Sequence, residues 1–360
     1  MKFGVTVVPS VSDWRLFVDL ETMGYDCAWA ADSQMLYSDA YATLALAAAN
    51  TSRIRLGTGV SVAGVRLAPG TAHSIASINQ LAPGRVFLGI GTGHTAMRVM
   101  GQDPMKAGAF REYLRVLRAL LHGQEIDYAL GEERRDIRFL HADRGFIDVA
   151  RPVPIYVAAD GPLALKSAGA YGDGRVCSHN QTRARLQKSL ETMQQGAAAV
   201  GRTLPGDFHT AALSYACVLK PGEPLTSDRV IDEIGPMAAA TLHYWWELYQ
   251  KDGDTSTVAQ RCRNLWDEYL AFTEKMETPL SRRYQQVHFG HCAFLPPEER
   301  RFITEDLIRS TGGLVGTPDE IIAMLREREA MGLSEITLLP AMDTARLNLK
   351  DFAEQVIKRY

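Results

Sequence analysis

Charge of one sign, cysteine pairs and long apolar runs are all missing from this 360-residue chain. Its 39 basic and 42 acidic residues leave a net charge of −3. No basic run is interleaved with aromatics, so neither charge nor pattern points to a nucleic-acid partner. The five cysteines (Cys27, Cys177, Cys217, Cys262 and Cys292) form no C-x-x-C pair. That spacing argues against a zinc knuckle and a disulfide framework, and no metal site is expected. Cys27 and Cys177, inside apolar runs, read as small buried hydrophobes. No apolar stretch reaches the 18 or so residues of a membrane span, and MKFGVTVVPS reads as a short strand rather than a signal peptide. The expected setting is the reducing cytoplasm, away from membranes.

What the chain does contain is an alternation. With 46% hydrophobic and 22% charged residues it has the composition of a globular protein with a large core. Short apolar strands alternate with amphipathic helices from the first residue: KFGVTVV, YDCAWAAD, IRLGTGVSV, VFLGIG, IYVAAD, RVCSHN, HTAALSYACVL and EITLLPA. Eight buried strands separated by helices predict an α/β protein, a closed (β/α)8 TIM barrel filling residues 1–360 as one domain. Two segments depart from the alternation. Residues 124–154 read as a small excursion with strand-like pieces. Residues 221–316 read as a helical insertion near the active-site mouth, with a separate helical subdomain as the other reading. Its aromatic run LHYWWELY suits either an apolar substrate wall or core and dimer packing. Near the end, Thr317 to Glu320 has the spacing of a capping box, with Pro318 at the first helical turn.

In such a barrel the chemistry belongs at the C-terminal strand ends. Those ends carry Pro9, Asp32, Gly59-Val60, the stretch Gly91-Thr92-Gly93-His94, Asp160-Gly161, Ser178-His179 and Leu219. At GIGTGH and AADGPLALK a strand runs through glycine straight into a helix start. Exposed backbone N–H groups and the positive end of a helix favour a phosphate at both places. Tight strand-to-helix turns are the plainer explanation. A dinucleotide fingerprint is excluded, because G-x-G-x-x-G from Gly89 and Gly91 needs a third glycine where His94 stands.

These stretches, with IRLGTGV and ASINQLAPGRVFLGIGTGHTAMRVMG, resemble the bacterial luciferase-like superfamily of flavin and deazaflavin oxidoreductases. The resemblance covers most of the chain outside the insertion. It implies a luciferase-like barrel whose mouth takes a flavin or deazaflavin. It also implies a cis peptide at Gly59-Val60 behind the ring, where a plain bulge is the alternative. Phosphate contacts are implied at Gly91, Thr92, Gly93, Asp160 and Gly161, with Ser178 and His179 close by. Because its carboxylate would repel a phosphate, Asp160 is expected to contribute only backbone. A β-branched residue at Gly59 is expected to weaken cofactor binding more than folding.

One departure from the family concerns the reacting groups. Its sugar-phosphate dehydrogenases follow the second-strand aspartate with histidine, where this chain has Asp32-Ser33, and carry a glutamate where it has His94. Sugar-phosphate oxidation is therefore not what the resemblance implies here. His94 is the first candidate for acid–base work, since imidazole titrates near neutral pH; Asp32 comes second. His288 and His291 in the insertion are further catalytic candidates. The function expected first is a monooxygenase using reduced FMN supplied by a separate flavin reductase; the alternative is a hydride-transfer enzyme using coenzyme F-420, and a non-catalytic flavin-binding barrel comes third. The enzyme readings expect a small-molecule substrate and a homo-oligomer, taken as a dimer.

Overall fold

The computed structural model describes residues 1–178 and 180–360; His179 lies outside the described residues. The strands in chain order are β1 (Lys2–Val7), β2 (Cys27–Ala30), β3 (Arg55–Val62), β4 (Val86–Gly91), β5 (Ile126–Leu130), β6 (Glu133–Ile137), β7 (Ile155–Ala158), β8 (Gly174–Ser178), β9 (His209–Ser214), β10 (Ala216–Val218), β11 (Leu314–Gly316) and β12 (Glu335–Leu338). Eight of them close a barrel in the order β1-β12-β9-β8-β7-β4-β3-β2. All eight come from the eight apolar stretches recognised in the sequence. Strands such as VFLGIG and CAWA are buried at every residue, as a sheet covered on both faces requires. The excursion at 124–154 contains the antiparallel hairpin β5–β6, paired Ile126 to Ile137.

HTAALSYACVL divides in two. β9 ends at Ser214, and β10 leaves the barrel to pair in parallel with β11. The chain forms two compact units, one of Met1–Leu213 with Arg328–Thr337, the other of Ser214–Glu327 with Leu338–Tyr360. The expected insertion lies wholly within the second. Its long helix Asp228–Asp252 starts at Ser227, whose side chain accepts from the Val230 N–H, and stops at Gly253 in the left-handed region (φ 74°). Trp245 and Trp246 are buried in that unit's core and Trp266 packs edge-on to Trp245, whereas Tyr244 is exposed. The tryptophans of the aromatic run thus serve core packing. At residue 317 the reciprocal bonds of a capping box are present: the Thr317 N–H donates to Glu320 Oε2 (2.8 Å) and the Glu320 N–H to Thr317 Oγ1 (3.4 Å). Among the described residues no helix is long and apolar enough to cross a membrane.

The barrel interior is aromatic and contains a charge. Trp29, Phe87 and Tyr156 pack in series with ring centroids 4.3 and 5.3 Å apart, and His209 stacks on Tyr156 at 4.6 Å. Glu335, fully buried, accepts from Trp29 Nε1 (2.7 Å) and Cys27 Sγ (3.3 Å), and its Oε2 lies 3.0 Å from His209 Nε2. The room comes from glycine in the strands: a Cβ on Gly57 would lie 2.3 Å from the Phe87 ring, and one on Gly4 would lie 2.3 Å from Glu335 Oε1. Burial and the adjacent Glu335 carboxylate push the Cys27 thiol well above its ordinary range, so it stays an inert thiol. Removing the carboxylate would strand the indole N–H and open a cavity. Glu335→Ala should lower stability by about 3 kcal/mol or more in urea unfolding, with Glu335→Gln losing less. Equal midpoints for Glu335→Ala and the parent would show that the carboxylate contributes nothing.

Candidate active site

The C-terminal strand ends of the barrel bring together most of the residues picked out from the sequence. Asp32 follows β2 and is buried at 4% exposure. Gln34 Nε2 donates to its Oδ1 (2.6 Å), while Oδ2 accepts from Ser61 Oγ (3.1 Å), the Val62 N–H (3.3 Å) and Arg66 Nη1 (3.1 Å). Burial raises the Asp32 carboxyl above its usual range, and Arg66 with the two β3 donors opposes that shift. So many donors make Asp32 a fixed acceptor rather than a mobile acid. Arg66 also bonds Asp39 (2.6 Å) and lies 4.6 Å over the Tyr41 ring, whose hydroxyl meets Ser61 Oγ at 2.6 Å. Arg66 was not among the residues expected. A charged residue four positions past the end of a buried strand was the available signal.

The Gly59–Val60 peptide is cis, and the β3–β4 register shifts between Thr58 and Ser61. Both features proposed for this place are therefore present together. The expectation for Gly59 itself needs correction. A Cβ there would lie 2.6 Å from Cβ of Trp29, a packed interior residue, so a β-branched substitution would disturb the fold first.

The two glycine turns differ from each other. In GIGTGH, Gly89 and Gly91 are accounted for by strand packing. A Cβ on Gly89 would meet the Thr58 carbonyl at 2.2 Å, and one on Gly91 would meet Val60 and Ala158 at 3.2 Å. Only Gly93 has the left-handed conformation (φ 79°) that a side chain resists. Thr92 precedes it half-buried, and His94, exposed, opens the short helix His94–Val99. In AADGPLALK, Gly161 is the extended N-cap of the helix Pro162–Tyr171, with Pro162 in its first turn. A Cβ on Gly161 would have nothing within 4 Å. The Asp160 carboxylate turns to Arg175, whose Nη2 donates to Oδ1 at 2.7 Å. Ser178, exposed at the end of β8, accepts from Gln181 Nε2 at 3.2 Å. Arg175 was also not anticipated, although a lone arginine within an apolar barrel strand was visible in GRVCS.

His288 and His291 belong to the second unit. Rings of His243 and His288 stand 5.5 Å apart, and those of His288 and His291 5.8 Å apart. His243 Nε2 meets Glu299 Oε2 at 3.0 Å and Oε1 at 3.1 Å, and Oε1 also accepts from the Tyr269 hydroxyl (3.2 Å). His288 Nε2 lies 2.8 Å from Glu247 Oε1 but out of hydrogen-bond alignment. Among the described residues no group of three or more histidines, cysteines or carboxylates is arranged to hold a metal ion.

A closed parallel barrel with acidic, hydroxyl and glycine-turn groups at its C-terminal strand ends has the architecture of the α/β-barrel enzymes, whose active sites lie at that face. Within that class the family is settled by likeness. The family profile described as luciferase-like monooxygenase matches residues 14–335, and the chain belongs to that family of oxidoreductases. The chain is similar to the F-420-dependent glucose-6-phosphate dehydrogenase of Kineococcus radiotolerans, 34% identical over 307 residues, covering 80% of this chain and 88% of that one. It also resembles the 5,10-methylenetetrahydromethanopterin reductase of Methanolobus tindarius, 33% identical over 224 residues, covering 60% of this chain and 65% of that one. In fold it is similar to the coenzyme F-420 dependent tetrahydromethanopterin reductase of Methanopyrus kandleri (TM-score 0.67, 20% identity, covering 100% of this chain and 99% of that chain). A second neighbour is the oxygenating constituent of 3,6-diketocamphane monooxygenase from Pseudomonas putida, solved in complex with FMN (TM-score 0.62, 16% identity, covering 100% and 98%).

The histidine cluster generates a pH prediction. Burial, then the neighbouring His288 and His243, lower the His291 imidazole to about 4, against the pull of Glu247. The unfolded chain takes up this proton near pH 6.5, and the folded chain resists it. The stability contributed by neutral His291 is therefore complete above about pH 6.5 and is lost as pH falls toward 4. In urea unfolding, His291→Asn should flatten the fall in midpoint between those limits; asparagine suits the positive φ of this residue (25°). An unaltered pH slope would remove His291 from the account.

Proposed function

We propose that this protein transfers a hydride reversibly between coenzyme F-420 and a small organic substrate. The observation that carries the reading is its 34% identity, across 80% of the chain, to a dehydrogenase dependent on that cofactor. When bound, the deazaflavin supplies the two-electron carrier, and the protein supplies position and a proton path. The substrate is taken to differ from glucose 6-phosphate, because Ser33 and His94 replace the reacting groups of the sugar-phosphate enzymes.

The residues present fit a phosphate-bearing cofactor. At Gly161 the helix start leaves its first backbone N–H groups without intrahelical partners and open to approach. The Thr92-Gly93 turn offers the second set of backbone donors, and Ser178 a hydroxyl. Gly59 and Val60, both half-buried at the mouth, take the back of the ring. Asp32, held by its donors, orients the groups at the mouth. His94, exposed in the first helical turn, exchanges a proton with the substrate. A reduced-FMN monooxygenase, served by a separate reductase, is the second reading, favoured by the family's own description.

Titrating the apo-protein with F-420, FMN and anaerobically reduced FMN separates the two, and F-420 should bind tightest. Tighter reduced FMN with oxygen consumption would favour the monooxygenase. Gly161→Asp should weaken the preferred cofactor by about 1–3 kcal/mol, with the melting temperature unchanged; undiminished affinity would place the phosphate elsewhere.

His94→Ala should reduce turnover by about 100-fold with little change in cofactor affinity. Full turnover in that variant would leave His94 a scaffold residue.

A further inference from the structure

An acidic residue immediately before a phosphate-binding helix start is a chemical contradiction unless something disposes of its charge. Asp160 occupies that position, its side chain 44% exposed. Arg175, on β8, is buried at 1% exposure and reaches the turn twice. Its Nε donates to the Ala159 carbonyl (2.7 Å) and its Nη2 to Asp160 Oδ1 (2.7 Å). The Ala159 N–H in turn donates to the Val176 carbonyl (3.1 Å), so the strand end is tied to β8 on both sides of the peptide. A guanidinium buried inside a barrel strand costs desolvation, which only well-placed partners offset. Both of these partners belong to the turn that leads into the helix Pro162–Tyr171.

We propose that Arg175 is the positioning residue of the cofactor's phosphate end. It cancels the Asp160 charge, holds that carboxylate off the helix axis, and fixes the turn so that backbone N–H groups meet the anion. This inference rests on the phosphate placement proposed above. It adds that the affinity of the site for phosphate is set by the balance of one arginine and one aspartate, neither of which need touch the ligand.

The test compares FMN with riboflavin, which differ only at the phosphate, and F-420 with its deazariboflavin core, which lacks the phosphate together with the acidic tail it carries. Dissociation constants are read by fluorescence on the full-length protein. Asp160→Asn, at an exposed side chain, should tighten FMN and F-420 by about three- to tenfold, because the Arg175 charge is no longer compensated. Riboflavin and the deazariboflavin core should hold their wild-type values. Arg175→Met should weaken the phosphate-bearing ligands by about tenfold or more, leaving the others unmoved. The double variant should recover only part of that loss, since the charges again balance but the Arg175–Ala159 bond is gone. If Arg175→Met does not fold, the Asp160→Asn comparison decides by itself. Weaker FMN and F-420 binding in Asp160→Asn, or equal shifts with and without phosphate, overturns the inference. A wild-type protein that shows no preference for the phosphorylated ligands refutes the phosphate placement itself, which is a separate result.

Discussion

The Glu335 carboxylate draws its donors from two other strands of the barrel, Cys27 and Trp29 from β2 and His209 from β9. A closed parallel barrel must fill its interior with side chains, and every strand must be rotated so that those side chains interlock. With a charge among them, hydrogen-bond geometry and packing have to be satisfied by the same rotation. Cys27, His209 and Glu335 are the first residues of their strands, so the network lies at the N-terminal end. The opposite strand ends carry the polar groups, among them Asp32, Thr92 and Ser178.

At those opposite ends the same electrostatic device occurs twice. Asp32 is answered by Arg66, and Asp160 by Arg175. The pairs are mirror images in burial. Asp32 is the enclosed partner of the first, and Arg175 the enclosed partner of the second. Enclosure sharpens an interaction, because less water competes for the charge. Each pair offsets one aspartate charge with one guanidinium, and Arg66 meets Asp39 as well.

The second unit has its own chemistry of enclosure. Its tryptophans and Tyr269 pack together, and Glu299 enters that apolar setting only with His243 and Tyr269 as partners. Burial and the Glu299 charge raise the Tyr269 hydroxyl well above its ordinary range, so it remains a donor. His288 and His291 extend the cluster by ring contact. His288 meets His243, His291 and Glu247, whereas the ring contact of His291 is with His288.

The eight strands and their order along the chain were legible by themselves, because strands buried on both faces are apolar throughout and alternation with helices demands parallel pairing. Strand ends followed, and with them Asp32, Gly59-Val60, the Thr92-Gly93 turn and Gly161. What each of these residues does there was decided only in three dimensions. The glycines of GIG look like a ligand turn in sequence, yet Gly89 is glycine because the Thr58 carbonyl of β3 occupies the place of its Cβ. Arg66 and Arg175 stand out in sequence only by their place beside or within a buried strand, since a partner 34 or 15 positions away leaves no periodic trace. His288 and His291 read as catalytic candidates from their place in the insertion, but their environment comes from His243 and Glu247, more than 40 residues earlier. Local pattern determines which elements form, because periodicity and burial act within a few residues. The charge, partner and exposure of a side chain depend on which distant strand is folded beside it, and that is settled by closure of the barrel and by packing within each unit.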